Sequence, residues 1–205
     1  MFYEMRTYSL KPGAVADFEE VFEKRQPFRE RHSKLGGFWH TEFGRLNQVI
    51  HIWPYESVEH RSQVRDAMAK DDDLRALPLS QFIDEQETEF LNPAPFMHPM
   101  EPAKLGSFYE LRMYSYRRGN MPEVLRRWSL GVPVREKYSP LAGCWTTDMG
   151  PLNKLIHLWP YNSFDDRERI RAESSKEELW PPPTSEFMIK QETKILLPSS
   201  FSPMQ

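Results

Sequence analysis

Between Phe2 and Ser9 the side chains alternate with a period of two, with Tyr3, Met5 and Thr7 on one face and Phe2, Glu4, Arg6 and Tyr8 on the other. Successive side chains of a strand point to opposite sides, so this segment predicts one. After a turn at Lys11-Pro12-Gly13 the period becomes helical, and Val15, Phe18, Val21, Phe22 and Arg25 share a stripe. Pro27 predicts a kink or restart, with a short second helical piece over 28–34. Gly36-Gly37 is expected to end the helix and open a strand over 38–43, joined through Gly44-Arg45 to a strand over 47–55. Ser57 suits an N-cap and Glu59 suits the positive end of the helix dipole, which predicts a helix to about Lys70. A last strand covers 82–91.

The same pattern then occurs again. Residues 2–70 and 108–176 superimpose with a constant shift of 106 and match without a gap at 27 of 69 positions. FYEMRTYS returns as FYELRMYS, and LNQVIHIWPY returns as LNKLIHLWPY. The chain is a tandem duplication: a first unit over 1–97, a linker over 98–107 and a second unit over 108–205. Each unit reads β-α-β-β-α-β, the ferredoxin-like arrangement with strands one and three central. The fold class is α+β, with the two units packed sheet to sheet as one closed barrel. Tyr3, Met5, Thr7, Ile50 and Ile52 are expected under the helices. Glu4, Arg6, Tyr8, Asn47, His51, Trp53 and Tyr55 are expected to face the barrel interior. Each unit ends in a similar tail, which should dock through Phe96 or Phe201.

Composition narrows the function classes. The net charge of −3, with both signs spread along the chain, predicts no nucleic-acid or anionic-membrane partner. The single Cys144 cannot form an internal disulfide and reads as a structural thiol in a reducing compartment. No stretch reaches the roughly 18 apolar residues of a spanning helix. The repeat starts at Phe2, so a cytoplasmic protein is expected. A Gly-rich phosphate loop, a His-Glu-x-x-His motif and a Gly-x-Ser-x-Gly elbow are all lacking, and no metal or cofactor is expected.

The chemistry-bearing residues form two duplicated rows. Glu4, Arg6 and Tyr8 return as Glu110, Arg112 and Tyr114, while Asn47, His51 and Trp53 return as Asn153, His157 and Trp159. Trp39 and Trp145 complete the set. A Glu-Arg-Tyr-His-Asn group can orient a polar ligand, an imidazole can move protons near neutral pH, and the indoles can stack on a planar molecule. The same groups could equally satisfy one another and fix how the halves dock. Arg61 and Arg65, repeated as Arg167 and Arg171, read as a solvated or ion-paired helix face. His40 with Glu42 occurs in the first copy only and is expected to make the two cavities unequal.

The motifs F-Y-E-[ML]-R-x-Y, G-x-W-x-T-[ED]-x-G and L-N-x-[VL]-[IV]-H-[IL]-W-x-Y-x-S, in that order in both halves, resemble the NIPSNAP family over nearly the whole chain. The resemblance implies the dimeric α+β barrel superfamily and places the family motif on the two rows. It implies either a small-molecule site in the barrel, with cofactor-free monooxygenase or isomerase chemistry, or an interaction protein of organelle and vesicle handling. The superfamily also contains haem-handling enzymes, which makes His51 or His157 a candidate axial ligand. A homo-oligomer is a further expectation.

Overall fold

The computed structural model describes all residues 1–205. The first unit runs β1 (Phe2–Leu10), α1 (Val15–Arg29), β2 (Gly37–Phe43), β3 (Gln48–Tyr55), α2 (Val58–Ala69), a one-turn α3 (Asp72–Arg75) and β4 (Ile83–Pro93). The second runs β5 (Phe108–Tyr116), α4 (Met121–Arg135), β6 (Gly143–Met149), β7 (Lys154–Tyr161), α5 (Phe164–Ser174) and β8 (Met188–Pro198). The Ser57 and Ser163 hydroxyls accept from the His60 and Asp166 amides at 3.1 and 3.0 Å, capping α2 and α5 as their position predicts. Pro27 and Pro133 do not start new helices. They sit in the last turn of α1 and α4, where a missing N–H removes a single bond, and in place of the expected helix over 28–34 the last residues of α1 run into a turn and irregular backbone.

The eight strands close into an antiparallel barrel in the order β1-β3-β2-β8-β5-β7-β6-β4. Within each unit the first strand pairs with the third and fourth, while β2–β8 and β4–β6 join the units. Closure leaves no free sheet edge, which removes the exposed ladder that invites association. No helix is long and apolar enough to cross a membrane.

The assignment of faces is the reverse of the expected one. In the β1–β3 register Met5 lies opposite Ile52 and Thr7 opposite Ile50, and these residues fill the barrel with Tyr3, Trp39, Leu91 and their second-unit counterparts. Glu4 opposite Trp53 and Arg6 opposite His51 turn outward, beneath the helices. Gly37 shows why Trp39 must be inside. A Cβ there would come within 2.0 Å of the Trp39 ring, and Gly143 stands in the same relation to Trp145. Each indole therefore packs its benzene ring directly against the glycine two residues before it, on the same strand face. Trp39 meets Tyr109 at 5.5 Å and Trp145 meets Tyr3 at 5.8 Å between ring centres, so these aromatic pairs join the two halves. The interior of an eight-stranded barrel is just wide enough for its own side chains. It holds core rather than a ligand.

The tails cross over. Phe201 packs on Phe22 and Phe38 of the first unit, at 5.5 and 4.9 Å, while Phe96 joins the core between sheet and helices of the second. Met97, Met100, Leu105 and Met204 close one end of the barrel. On the interior face toward the other end, Lys154 binds Glu89 at 2.5 Å and Lys194 binds Gln48 at 2.7 Å.

Candidate functional site

Because the polar rows face outward, each unit has its cavity between sheet and helices. The second-unit cavity, about 510 Å³, is lined by Arg112, Tyr114, His157 and Trp159 from the sheet and by Trp128, Arg135 and Arg171 from the helices. Trp180 and the run Pro181-Pro182-Pro183 form its outer wall. The first-unit cavity, about 140 Å³, is built from the equivalent Arg6, Tyr8, His51, Trp53, Arg29 and Arg65, with Glu4 also lining it.

The carboxylate in each row is already paired. Glu4 is 1 % exposed and accepts from Arg6 at 3.1 Å and from Arg61 at 2.6 Å. Glu110 is fully buried and accepts from Arg112 at 3.2 Å and from Arg167 at 2.7 Å. Burial alone would raise both carboxyls, but the hydrogen bonds and charges of these arginines outweigh it and hold them below their ordinary range. Arg61 and Arg167 are thus the ion-paired part of the helix face, clamped across the sheet on a buried acid.

His51 and His157 are held in one state. Trp53 Nε1 donates to His51 Nδ1 at 2.6 Å, and Trp159 Nε1 donates to His157 Nδ1 at 2.7 Å. An indole N–H can only donate, so Nδ1 is the acceptor and Nε2 carries the proton. Burial, and then the surrounding arginines, push both imidazoles well below their ordinary pKa and keep them neutral. Each Nε2–H is buried without a partner. This tautomer does not fit the haem expectation, because the Nε2 lone pair that would bind iron is occupied by a proton. It makes each histidine a hydrogen-bond donor at neutral pH.

Other expected site residues lie elsewhere. Trp39 and Trp145 belong to the barrel core. Asn47 and Asn153 sit in the hairpin turns with φ of 54° and 58°, a left-handed conformation that asparagine tolerates, and their carbonyls accept from Leu10 and Tyr116. They shape turns and line neither cavity. His40 pairs with Glu19 at 2.8 Å, away from both cavities, so it does not make them unequal. The two cavities differ instead in their outer walls: Arg25, Met68 and Leu79 line the first, while Trp180 and the three prolines line the second.

Arg29 and Arg135 do not belong to the rows, yet they are central. Arg135 is 2 % exposed, lies 4.5 Å from the Trp159 ring centre and donates to the Tyr161 hydroxyl at 3.0 Å. Arg29 repeats this on Trp53 at 3.9 Å and Tyr55 at 2.9 Å. Neither forms an ion pair with a carboxylate. Arginine stays protonated, and a buried charge without a counterion is costly. The repeat Pro27-x-Arg29-Glu30 and Pro133-x-Arg135-Glu136 was the signal for them.

Comparison with known proteins agrees with this architecture. The NIPSNAP family model matches residues 3–98 and again 109–203. Human protein NipSnap homolog 3A is 35% identical over 215 residues, covering 100% of this chain and 86% of that protein. The NipSnap homolog of Dictyostelium discoideum is 30% identical over 96% of this chain and 86% of its own length. A Fusobacterium nucleatum structure described as a candidate monooxygenase shares the fold with a TM-score of 0.69 at 10% identity, over 96% of this chain and 91% of its own. With two consecutive family matches and relatives that align along nearly the whole of it, this chain belongs to the NIPSNAP family.

Proposed function

We propose that the protein binds a planar organic anion, such as an aromatic carboxylate, in the second-unit cavity. The observation that carries this reading is Arg135, a buried guanidinium with no carboxylate of its own, at a cavity shared with Arg112 and Arg171. Trp128, Trp159 and Trp180, with ring centres 5.5 and 5.6 Å apart along the wall, offer faces for a flat ligand. His157 Nε2–H adds a neutral donor. These groups would stabilise negative charge developing on the ligand, as isomerisation and cofactor-free oxygenation both require. His157 itself is no base at neutral pH, so any turnover draws on the ligand's own charge.

Titration with salicylate and 2-naphthoate, followed by tryptophan fluorescence, tests the reading. Wild type should respond saturably, and Arg135→Met should bind at least 10-fold more weakly, as loss of a charge-assisted hydrogen bond implies. The absence of saturable response to either probe, or an Arg135→Met variant that binds like wild type, would refute it.

An interaction role is the second reading. Leu46 and Leu152, at equivalent hairpin tips, are 60 % and 62 % exposed. Under this reading a Leu46→Asp, Leu152→Asp variant abolishes association with a protein partner and leaves anion binding unchanged.

A further inference from the structure

The first-unit cavity differs from its counterpart in a way that changes what could occupy it. We infer that it is a separate site for a compact oxyanion of the size and charge of inorganic phosphate. Four arginines line it, Arg6, Arg25, Arg29 and Arg65, against the single carboxylate Glu4. Glu4 is already held by Arg6 and by Arg61 from outside the lining. The lining therefore carries an excess of three positive charges, and Arg29, 8 % exposed, has no counterion. His51, 3 % exposed, also lines the cavity with an Nε2–H that has no partner. One deeply buried donor, the His51 Nε2–H, is thus left for an acceptor that the chain does not supply, beside an Arg29 whose hydrogen bonds go to the neutral Ser33 and Tyr55 and leave its charge unbalanced.

Size separates this site from the other. Its volume of about 140 Å³ is room for roughly four or five waters, ample for a tetrahedral oxyanion and far below the about 510 Å³ of the second cavity. Met68, Arg25 and Leu79 line the first cavity, and neither Ser174 nor Gly131, the second-unit counterparts of Met68 and Arg25, lines the other, whose wall is Trp180 and the three prolines. Arg25 is fixed in place by hydrogen bonds to the carbonyls of Leu74 and Leu77. The duplication has thus produced one roomy and one narrow cationic cavity. A charged, compact ligand gains most from the narrow one, because fixed guanidinium forks suit oxyanion geometry.

Isothermal titration of the whole protein with inorganic phosphate tests this, with phenyl phosphate as the second arm. Phosphate should bind once per chain and phenyl phosphate at least 10-fold more weakly. Arg29→Met should weaken phosphate binding at least 10-fold, and Arg65→Ala, an exposed residue at the cavity that spares the core, about 3-fold or more. Arg135→Met should leave it unchanged. The proposal is overturned if wild type shows no saturable phosphate binding, if Arg135→Met alone abolishes it, or if phenyl phosphate binds as tightly as phosphate. Failure here leaves the second-unit cavity untouched, because that reading is scored with aromatic carboxylates and Arg135.

Discussion

The indole N–H of Trp159 donates to Nδ1 of His157 across 2.7 Å, and both side chains project from the same face of β7 two residues apart. The pair recurs as Trp53 and His51 on β3. In both copies the tryptophan decides which histidine nitrogen holds the proton, and a side chain that titrates near neutrality in water is kept neutral.

That restraint gives a pH dependence with a definite sign. A neutral buried histidine binds fewer protons when folded than when unfolded, so stability falls as pH drops below the unfolded value of about 6.5, by at most about 1.4 kcal/mol per pH unit for each histidine. Glu4 and Glu110, held below their ordinary range, add a further loss as pH falls past about 4.5. His40 acts oppositely, because the hydrogen bond it donates to the Glu19 carboxylate raises its pKa. Its contribution is complete below about 6.5 and is lost as pH rises beyond that. Denaturation midpoints should therefore drop between pH 6.5 and 5, and His51→Asn, His157→Asn should flatten that slope.

Trp159→Phe keeps a six-membered ring and removes the pyrrole ring with its N–H. Nδ1 of His157 is then a buried acceptor without a donor, which costs about 1–3 kcal/mol in urea unfolding. A similar cost is expected for Trp53→Phe, whereas a stability equal to wild type would show that the bond contributes nothing.

Glu110→Gln should move stability and affinity in opposite directions. Removing the buried charge leaves Arg112 and Arg167 without their shared partner. Both can still reach solvent, so the loss should be about 1–3 kcal/mol, below that of a sealed pair. The same change increases the positive field at the second cavity and should tighten salicylate binding in the fluorescence titration.

The crossed tails predict crossed effects. Phe201→Ala removes a ring stacked on Phe22 and tilted against Phe38 and should cost about 1–3 kcal/mol, less than a fully buried phenylalanine because Phe201 is partly exposed. Hydrogen exchange should quicken in α1 of the first unit although the mutation lies in the second. Phe96→Ala should do the converse in α4.

Cys144 is buried beside the second-unit core, and burial pushes its thiol up. It should remain unmodified by aromatic disulfide reagents under native conditions and react fully in urea.

The repeated alternation in FYEMRTYS and FYELRMYS, the serine caps and the hairpin glycines are local signals, and they were enough to place the strands, the longer helices and the two-unit barrel. The duplicated Glu-Arg-Tyr and His-Trp residues were legible for the same reason, since two copies of one strand reveal what both retain. The face they occupy was not. Both sides of this sheet are buried, one by the opposite half of the barrel and one by helices, so hydrophobic pattern alone does not distinguish them. The close packing of Trp39 on Gly37 inside a narrow barrel decides it. Tertiary structure likewise brought Arg29 and Arg135 from the helix ends over the tryptophans of the third strands, and it set Arg25 and Met68 into one cavity and not the other. Sequence determined which residues are written twice. Only the packing of helix on sheet decided that the two copies enclose cavities of different size.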